Sequence, residues 1–270
     1  MVRGARWLKR LREEEERVKD ADLYKTIEEV FDSATMSHIY RLEARGVIWE
    51  LKGVVSAGKE ARVYWGKARD GSDIAVKIYL TSSAEFRKSI RKYIMGDPRF
   101  EGISTSNYRR LIYEWARKEY RNLKRMGEVG VRVPKPLGVS GNVIVMEFIG
   151  EEGYRAPLLV EAASQLSLEE ARSIYVDVVG QVKRMVCEAR LVHADLSEYN
   201  IMVYEGEPWI IDVSQAVQLD HPNALDFLKR DISNVQDFFS KLLGGEGLTD
   251  LYSEVVPCLR EEGLEPQGST

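Results

Sequence analysis

Lys77 stands in the middle of Ile74-Ala75-Val76-Lys77-Ile78-Tyr79, a run whose β-branched and aromatic residues mark a strand. An unpaired ammonium in an apolar run is strongly disfavoured, so this lysine needs an anion. Glu119 offers one. It falls four residues after Trp115 and seven after Ile112, on the otherwise apolar stripe of a helix expected over 106–126 (Tyr108, Leu111, Ile112, Trp115, Ala116, Leu123, Met126), with Gly127 as its stop. Snorkelling to water would accommodate either residue alone. Taken together, the two misfits explain each other as a pair tying this strand to that helix.

The pattern around Lys77 is one of short β-rich runs. Val47-Ile48-Trp49, Ala61-Arg62-Val63-Tyr64-Trp65 and Ile74 to Tyr79 are broken at Gly58 and at Asp70-Gly71, a strong hairpin signal. Before them, residues 5–45 read as helices, with Leu23, Ile27, Val30 and Phe31 at helical spacing and Ser33 or Thr35 as a cap for the next helix. Residues 81–105 are rich in Ser, Thr and charge, hold Gly96-Asp97-Pro98, and read as a long, partly mobile insertion. Pro134 and Pro136 suit an edge segment, and Ser140-Gly141-Asn142 turns into the strand Val143-Ile144-Val145-Met146.

Beyond Gly150 the chain reads as mainly helical. Ser167 with Glu170 forms a capping box for a helix running to about Ala189. Ile201 to Tyr204 and Trp209 to Val213 are short strands around Glu205-Gly206-Glu207-Pro208, a hairpin that brings Asn200 close to Asp212. Asp220 and Pro222 can start a further helix, and Gly244-Gly245 ends the last long one. The expected class is therefore α+β in two lobes: a helical extension over 1–46, a β-rich N-lobe over 47–150 and a mainly helical C-lobe over 151–270.

Composition narrows the setting. The two cysteines, Cys187 and Cys258, lack metal-ligand spacing, so neither a disulfide framework nor a zinc site is expected, and a reducing interior suits them. The charged run Arg12-Glu13-Glu14-Glu15-Glu16-Arg17 does not fit a signal peptide, and no apolar stretch of about 18 residues occurs, so the expectation is a cytoplasmic protein without a membrane partner. A net charge of -4 with 30% charged residues neither demands nor excludes nucleic acid. The basic residues Arg87, Lys88, Arg91, Lys92 and Arg99, and seven more from Arg109 to Arg125, read as a solvated face, with phosphate-backbone contact as the alternative.

The chemistry concentrates late in the chain. Asp195 and Asn200 have the spacing of a phosphoryl-transfer loop, in which an Asp accepts the substrate hydroxyl proton and an Asn five residues on holds Mg²⁺. Ile210-Ile211-Asp212 puts a second carboxylate at a strand end, a hard oxygen ligand of the kind Mg²⁺ takes. Gly53 to Glu60 looks at first like a Walker A loop, but Glu60 stands where Ser or Thr should be, and Ala61 to Trp65 read as a strand instead of a helix. A strand-turn-strand flap with Ser56 and Lys59 as phosphate donors suits it better. Met146, Glu147 and Ile149, at a strand end near the lobe boundary, could meet adenine through the backbone.

Ser56-Ala57-Gly58-Lys59-Glu60-Ala61, Gly96-Asp97-Pro98-Arg99-Phe100, His193-Ala194-Asp195-Leu196-Ser197-Glu198-Tyr199-Asn200 and Ile211-Asp212-Val213-Ser214-Gln215 together resemble the RIO family of atypical serine/threonine protein kinases, in its shorter, first-described branch, over about residues 20–245. Ala57 and Arg62 depart from that branch's usual Thr and Asn. The resemblance implies a two-lobed kinase fold and ATP with Mg²⁺, or Mn²⁺ in its place. It implies Asp195 as catalytic aspartate, Asn200 and Asp212 at the metal, and Lys77, Glu147 and Ile149 around the nucleotide. It further implies an aspartyl-phosphate at Asp212, ATP hydrolysis coupled to small ribosomal subunit precursors (protein and rRNA), and autophosphorylation among the serines near 82–106. Ala194 replaces the arginine of the usual His-Arg-Asp, and no Ala-Pro-Glu follows Asp212, so an activation segment and its substrate platform are not expected. Two rivals remain at this stage. One is a small-molecule kinase of the aminoglycoside or choline type, though such enzymes resemble Leu-His-Pro-Gly where this chain has Leu196-Ser197-Glu198-Tyr199. The other is a pseudokinase scaffold that binds nucleotide or RNA without chemistry.

Overall fold

The computed structural model describes residues 32–104, 107–245, 248–261 and 263–264. In chain order the elements are helix α1 (Ser33–Ala44), strands β1 (Glu50–Ala57), β2 (Ala61–Lys67) and β3 (Asp73–Tyr79), and helices α2 (Ala84–Ser89), α3 (Arg91–Ile94) and α4 (Tyr108–Glu128). Strands β4 (Pro136–Ser140), β5 (Val143–Glu147), β6 (Gly150–Glu151) and β7 (Tyr154–Arg155) follow, then helices α5 (Leu159–Ala162) and α6 (Leu168–Lys183). The chain continues through strands β8 (Leu191–Val192), β9 (Ile201–Tyr204), β10 (Glu207–Ile210) and β11 (Val217–Gln218) to helices α7 (Ala224–Leu243) and α8 (Leu251–Glu261). The class is α+β, as the sequence pattern implies. The helical expectation for residues 5–31 lies outside the described residues.

Two compact units are interleaved in sequence. The first takes the described residues up to Arg87, those from 107 to Arg117, and Leu137–Arg155; the second takes Lys88–Ser104, Lys118–Pro136 and the described residues from Ala156 onward.

In the first unit a five-stranded sheet runs in the order β1-β2-β3-β5-β4, with antiparallel pairing of β1 with β2, β2 with β3 and β3 with β5. Strand side chains alternate between faces. Ile74, Val76 and Ile78 of β3 accordingly bury one face with Val143 and Val145 of β5 and Ile39 and Leu42 of α1. Ala75, Lys77 and Tyr79 fall on the other face and are buried as well. Asn142 fastens α1 to this sheet, donating to Thr35 Oγ1 at 3.0 Å and Tyr79 O at 2.8 Å. Asp32, and not Ser33 or Thr35, caps α1: its carboxylate accepts from Thr35 N at 2.7 Å, which leaves the Thr35 hydroxyl to face Asn142. Val47 and Ile48 are not strand residues. Their amides return to Leu42 O to close α1, and β1 begins at Glu50.

Helix α4 passes through Gly127 to Glu128, and beyond it Gly130, with a φ of 76°, supplies the left-handed residue that lets Val131 N reach back to Met126 O at 3.1 Å. In the second unit the Ser167–Glu170 capping box opens α6 as expected, and after Lys183 the helix widens into a π turn over Arg184–Glu188. Strand β10 starts at Glu207, inside the expected turn, because Glu205 and Gly206 alone adopt the positive φ values (53° and 82°) of a two-residue hairpin. Helix α7 starts at Ala224, beyond Asp220 and Pro222, and stops as the sequence implies at Gly244, whose φ of 72° is left-handed; the shorter α8 follows it.

The cysteine expectation is overturned. Cys187, at the end of the π turn, and Cys258, on α8, form a disulfide with Cα atoms 5.5 Å apart across 71 residues of sequence. Only the packing of α8 against the π turn brings them together. A Cys187→Ser/Cys258→Ser protein is expected to unfold in urea with about 2–4 kcal/mol less stability than the oxidised wild type, and dithiothreitol should bring the wild type to the same midpoint. Coincident midpoints for variant and oxidised wild type would show that this bridge contributes nothing.

Candidate functional site

The loop from His193 to Asn200 is held almost entirely through its backbone. Asp231, buried on α7 beside Leu228 and Ile232, accepts from Ala194 N at 2.7 Å and Leu196 N at 3.0 Å. Asn234, one turn along the same helix face from Arg230, donates to Leu196 O at 3.0 Å, and Arg230 donates to Ala194 O. His193 is buried, and its Nε2 lies 3.0 Å from Ile211 O, which joins the loop to the end of β10. These contacts hold Ala194 at a φ of 67°, a left-handed conformation uncommon for a residue with a side chain.

Asp195 and Asn200 meet within this loop. Asn200 Nδ2 donates to Asp195 O at 2.7 Å and lies 3.4 Å from Asp195 Oδ2, leaving the amide oxygen as the end that can meet a cation. The β9–β10 hairpin then delivers Asp212 to the same place. Ile210 pairs with Ile201, and Ile211 N donates to Asn200 O at 3.0 Å. Asp212 is exposed, takes a φ of 55°, and accepts from Ser214 Oγ at 2.9 Å. Burial pushes the Asp195 carboxyl above the usual range and the Asp212 charge adds to this, while His193, Arg230 and Lys92 pull the other way. Among the described residues no three His, Cys, Asp or Glu side chains are gathered as a metal cage. Asn200 and Asp212 supply the small number of hard oxygen donors with which Mg²⁺ is ordinarily held, so the residues present fit that ion.

The remaining sequence candidates are placed as follows. Glu119 is buried on the part of α4 that belongs to the second unit. Lys77 belongs to the first unit and is buried on β3, its Nζ 5.0 Å from the Tyr79 ring centroid. Ser56 ends β1 and Lys59 lies in the turn to β2, both exposed. That turn is closed by Gly58 N on Ala61 O at 3.0 Å and by Arg62 Nη1 on Gly58 O, so Arg62, one of the two departures from the family pattern, braces the flap. A strand follows it, which rules out the Walker A geometry. Met146 and Glu147 close β5, and Ile149 follows them, buried. From Asp212 to Ala224 the only regular element is the two-residue strand β11.

Sequence reasoning missed Arg230, Asp231 and Asn234. The signal was available for Asp231: it lies among Phe227, Leu228, Ile232 and Val235, a carboxylate on an apolar helix face like Glu119. The basic segments also conceal an exception, since Lys118 is fully buried.

The family model described as the RIO domain matches residues 62–250. The chain is 47% identical over 227 residues to serine/threonine-protein kinase RIO1 of Caenorhabditis elegans, covering 84% of this chain and 44% of that protein. It is 43% identical to the human RIO1 kinase, with 84% and 41% covered, so it spans less than half the length of either relative. To the RIO-type serine/threonine-protein kinase Rio1 of Haloferax volcanii it is 42% identical, covering 92% of this chain and 83% of that one. Among solved structures it is similar to the Rio2 kinase of Chaetomium thermophilum in an ADP/Mg²⁺-phosphoaspartate complex, with a TM-score of 0.61 at 21% identity, covering 87% of this chain and 77% of that chain. That likeness shows a kinase-like fold. Among the described residues no helix is long and apolar enough to cross a membrane.

Burial pushes the Asp231 carboxyl up to about 7 from its ordinary 3.8, despite the two loop amides and Arg230, which lower it. Between those values the folded protein keeps a proton that the unfolded chain releases. The contribution of this group is therefore full below pH 3.8 and is lost as pH rises to about 7. In urea unfolding, the stability of the wild type relative to Asp231→Asn, which does not titrate there, is expected to fall across that window and level off above it. A relative stability that rises with pH would show Asp231 ionised in the fold.

Proposed function

Since the chain belongs to the RIO domain family and is of the RIO1 type, we propose that it is an ATP-dependent phosphotransferase, a serine/threonine protein kinase that also hydrolyses ATP. The observation that carries this reading is the junction of the two loops, where the Ile211 N to Asn200 O bond and the Asn200 to Asp195 contacts assemble one amide and two carboxylates. Asp195 is the catalytic aspartate. Its raised proton affinity suits it to take the proton of an attacking hydroxyl and to surrender it afterwards. Asn200 and Asp212 hold Mg²⁺, which when bound neutralises charge on the β- and γ-phosphates. Lys77 has the phosphate-contacting role with Glu119 as its acidic counterpart. Ser56 and Lys59 donate to phosphate from the flap, and Met146, Glu147 and Ile149 line the adenine site.

Asp212 is also the proposed phosphoryl acceptor. A carboxylate oxygen attacks the γ-phosphorus, the bond to the β–γ bridging oxygen breaks, and ADP leaves with that electron pair. Water later cleaves the acyl phosphate, returning the carboxylate and inorganic phosphate. The similar Rio2 kinase is described as an ADP/Mg²⁺-phosphoaspartate complex, and the exposure of Asp212 suits the same step here. The short connection from Asp212 to α7 offers little platform for a peptide, which favours the enzyme itself as acceptor over broad protein phosphorylation. The proposed setting is cytoplasmic maturation of the small ribosomal subunit, with precursor protein and rRNA as partners and autophosphorylation among the serines near 82–106.

Asp195→Ala is expected to keep ATP affinity within about twofold and to lower ADP formation at least about 100-fold. Equal turnover in variant and wild type would exclude the enzyme reading. Labelling with γ-³²P ATP is expected to leave an acid-stable, hydroxylamine-sensitive label that Asp212→Ala abolishes; phosphoserine as the sole labelled product would exclude the aspartyl-phosphate.

A further inference from the structure

The segment after Asp212 is held by a file of polar side chains to which the phosphotransferase reading gives no role. Lys118 and Asn122, one turn apart on α4, both point at its carbonyls. Asn122 Nδ2 donates to Val213 O at 2.9 Å and to Ala216 O at 3.2 Å, and Lys118 Nζ donates to Ser214 O at 3.0 Å. Arg99 stands behind them, donating from Nη1 to Asn122 Oδ1 at 2.8 Å and from Nη2 to Ala216 O at 3.5 Å. Its guanidinium is fixed in turn by Asp97, with Nε to Oδ1 at 2.8 Å and Nη2 to Oδ2 at 2.6 Å.

Asp97 also caps the single turn Pro98–Phe100 through Arg99 N at 3.0 Å, so the file begins on a capped turn. Asp97, Lys118 and Asn122 are all buried, at 4%, 0% and 1% exposure. A buried file of this kind is tolerable only when its members satisfy one another, and once they do it is stiff. At its far end Ser214 carries the restraint to Asp212, because its carbonyl is held by Lys118 while its hydroxyl donates to Asp212 Oδ1. Asp212 needs such restraint, since a left-handed φ at a non-glycine residue persists only where the surroundings impose it.

We propose that Asp97, Arg99, Lys118 and Asn122 are positioning residues that fix the segment 213–216 and, through Ser214, set the Asp212 carboxylate for Mg²⁺. This rests on the metal-binding role proposed for Asp212. None of the four touches the nucleotide or the metal in this account. Their effect is expected in metal binding, with nucleotide affinity in the absence of metal left as it was.

The discriminating variant is Asn122→Asp, which keeps the oxygen that Arg99 binds and removes the amide nitrogen that serves Val213 and Ala216. Arg99→Lys is the second variant. Tyr175→Phe, which loses the hydrogen bond to Thr249 O elsewhere in the same unit, controls for general loosening. ADP affinity of the full chain is measured by calorimetry with Mg²⁺ and with EDTA, and the ratio is the metal enhancement. Asn122→Asp and Arg99→Lys are expected to lower that ratio about tenfold while affinity in EDTA stays within about twofold, and Tyr175→Phe is expected to match the wild type. An unchanged ratio in Asn122→Asp and Arg99→Lys, or an equal fall in Tyr175→Phe, overturns the proposal. Asp212→Asn separates the two levels: if it retains the full enhancement the metal reading itself fails, and if it alone loses the enhancement only the positioning role fails.

Discussion

The buried carboxyl of Asp231 organises the loop carrying Asp195, because it grips the amides of Ala194 and Leu196 on either side of that residue. Backbone amides in a loop have no ladder to satisfy them and would otherwise face water or go unpaired. By taking both, with Arg230 and Asn234 on the neighbouring carbonyls, helix α7 sets the loop's path irrespective of what its side chains do. Asp195 is thereby released from holding the loop, and Asn200 adds only the bond from its Nδ2 to Asp195 O. Their polar ends are turned to one another and to whatever binds there.

The same logic governs the second loop. Five non-glycine residues among those described have positive φ, and two of them are Ala194 and Asp212, one in each functional loop. Such conformations cost on the order of 1–3 kcal/mol each and survive only where packing and hydrogen bonds over-determine them. For Ala194 the restraints come from α7; for Asp212 they come from the hairpin on one side and from Lys118 and Asn122 on the other. Two of these costs fall where chemistry is proposed, and there the side chains of Asp231, Arg230, Lys118 and Asn122 grip backbone amides and carbonyls of the two loops.

Much of this was legible in one dimension because the signals are local. The Ser167–Glu170 box, the Asp70-Gly71 turn and the Glu205-Gly206 hairpin depend on residues within a few positions of one another, and the hairpin alone was enough to bring Asn200 and Asp212 together. Errors arose where a local preference was outbid by a neighbour. Gly127 gave way to Gly130, and Ser33 and Thr35 to Asp32, since a cap is decided by which group reaches the open amide or carbonyl.

The sequence by itself determined the period of the longer elements, such as β3, α4 and α6, the junction of the two loops and the residue types able to handle a metal-bound phosphate, whereas the short helices α2 and α3 inside the expected insertion at 81–105 left no period to read. Tertiary structure alone decided that Cys187 meets Cys258, that Asp231 serves the loop near Ala194, and that Arg99 reaches Asn122 and through it the carbonyls beyond Asp212. These partners are separated by long stretches of chain, and no periodicity records which of many polar side chains will be buried against which carbonyl. Lys77 and Glu119 show the limit from the other direction: the apolar runs around them foretold that both would be buried, and burial is what the fold confers on each.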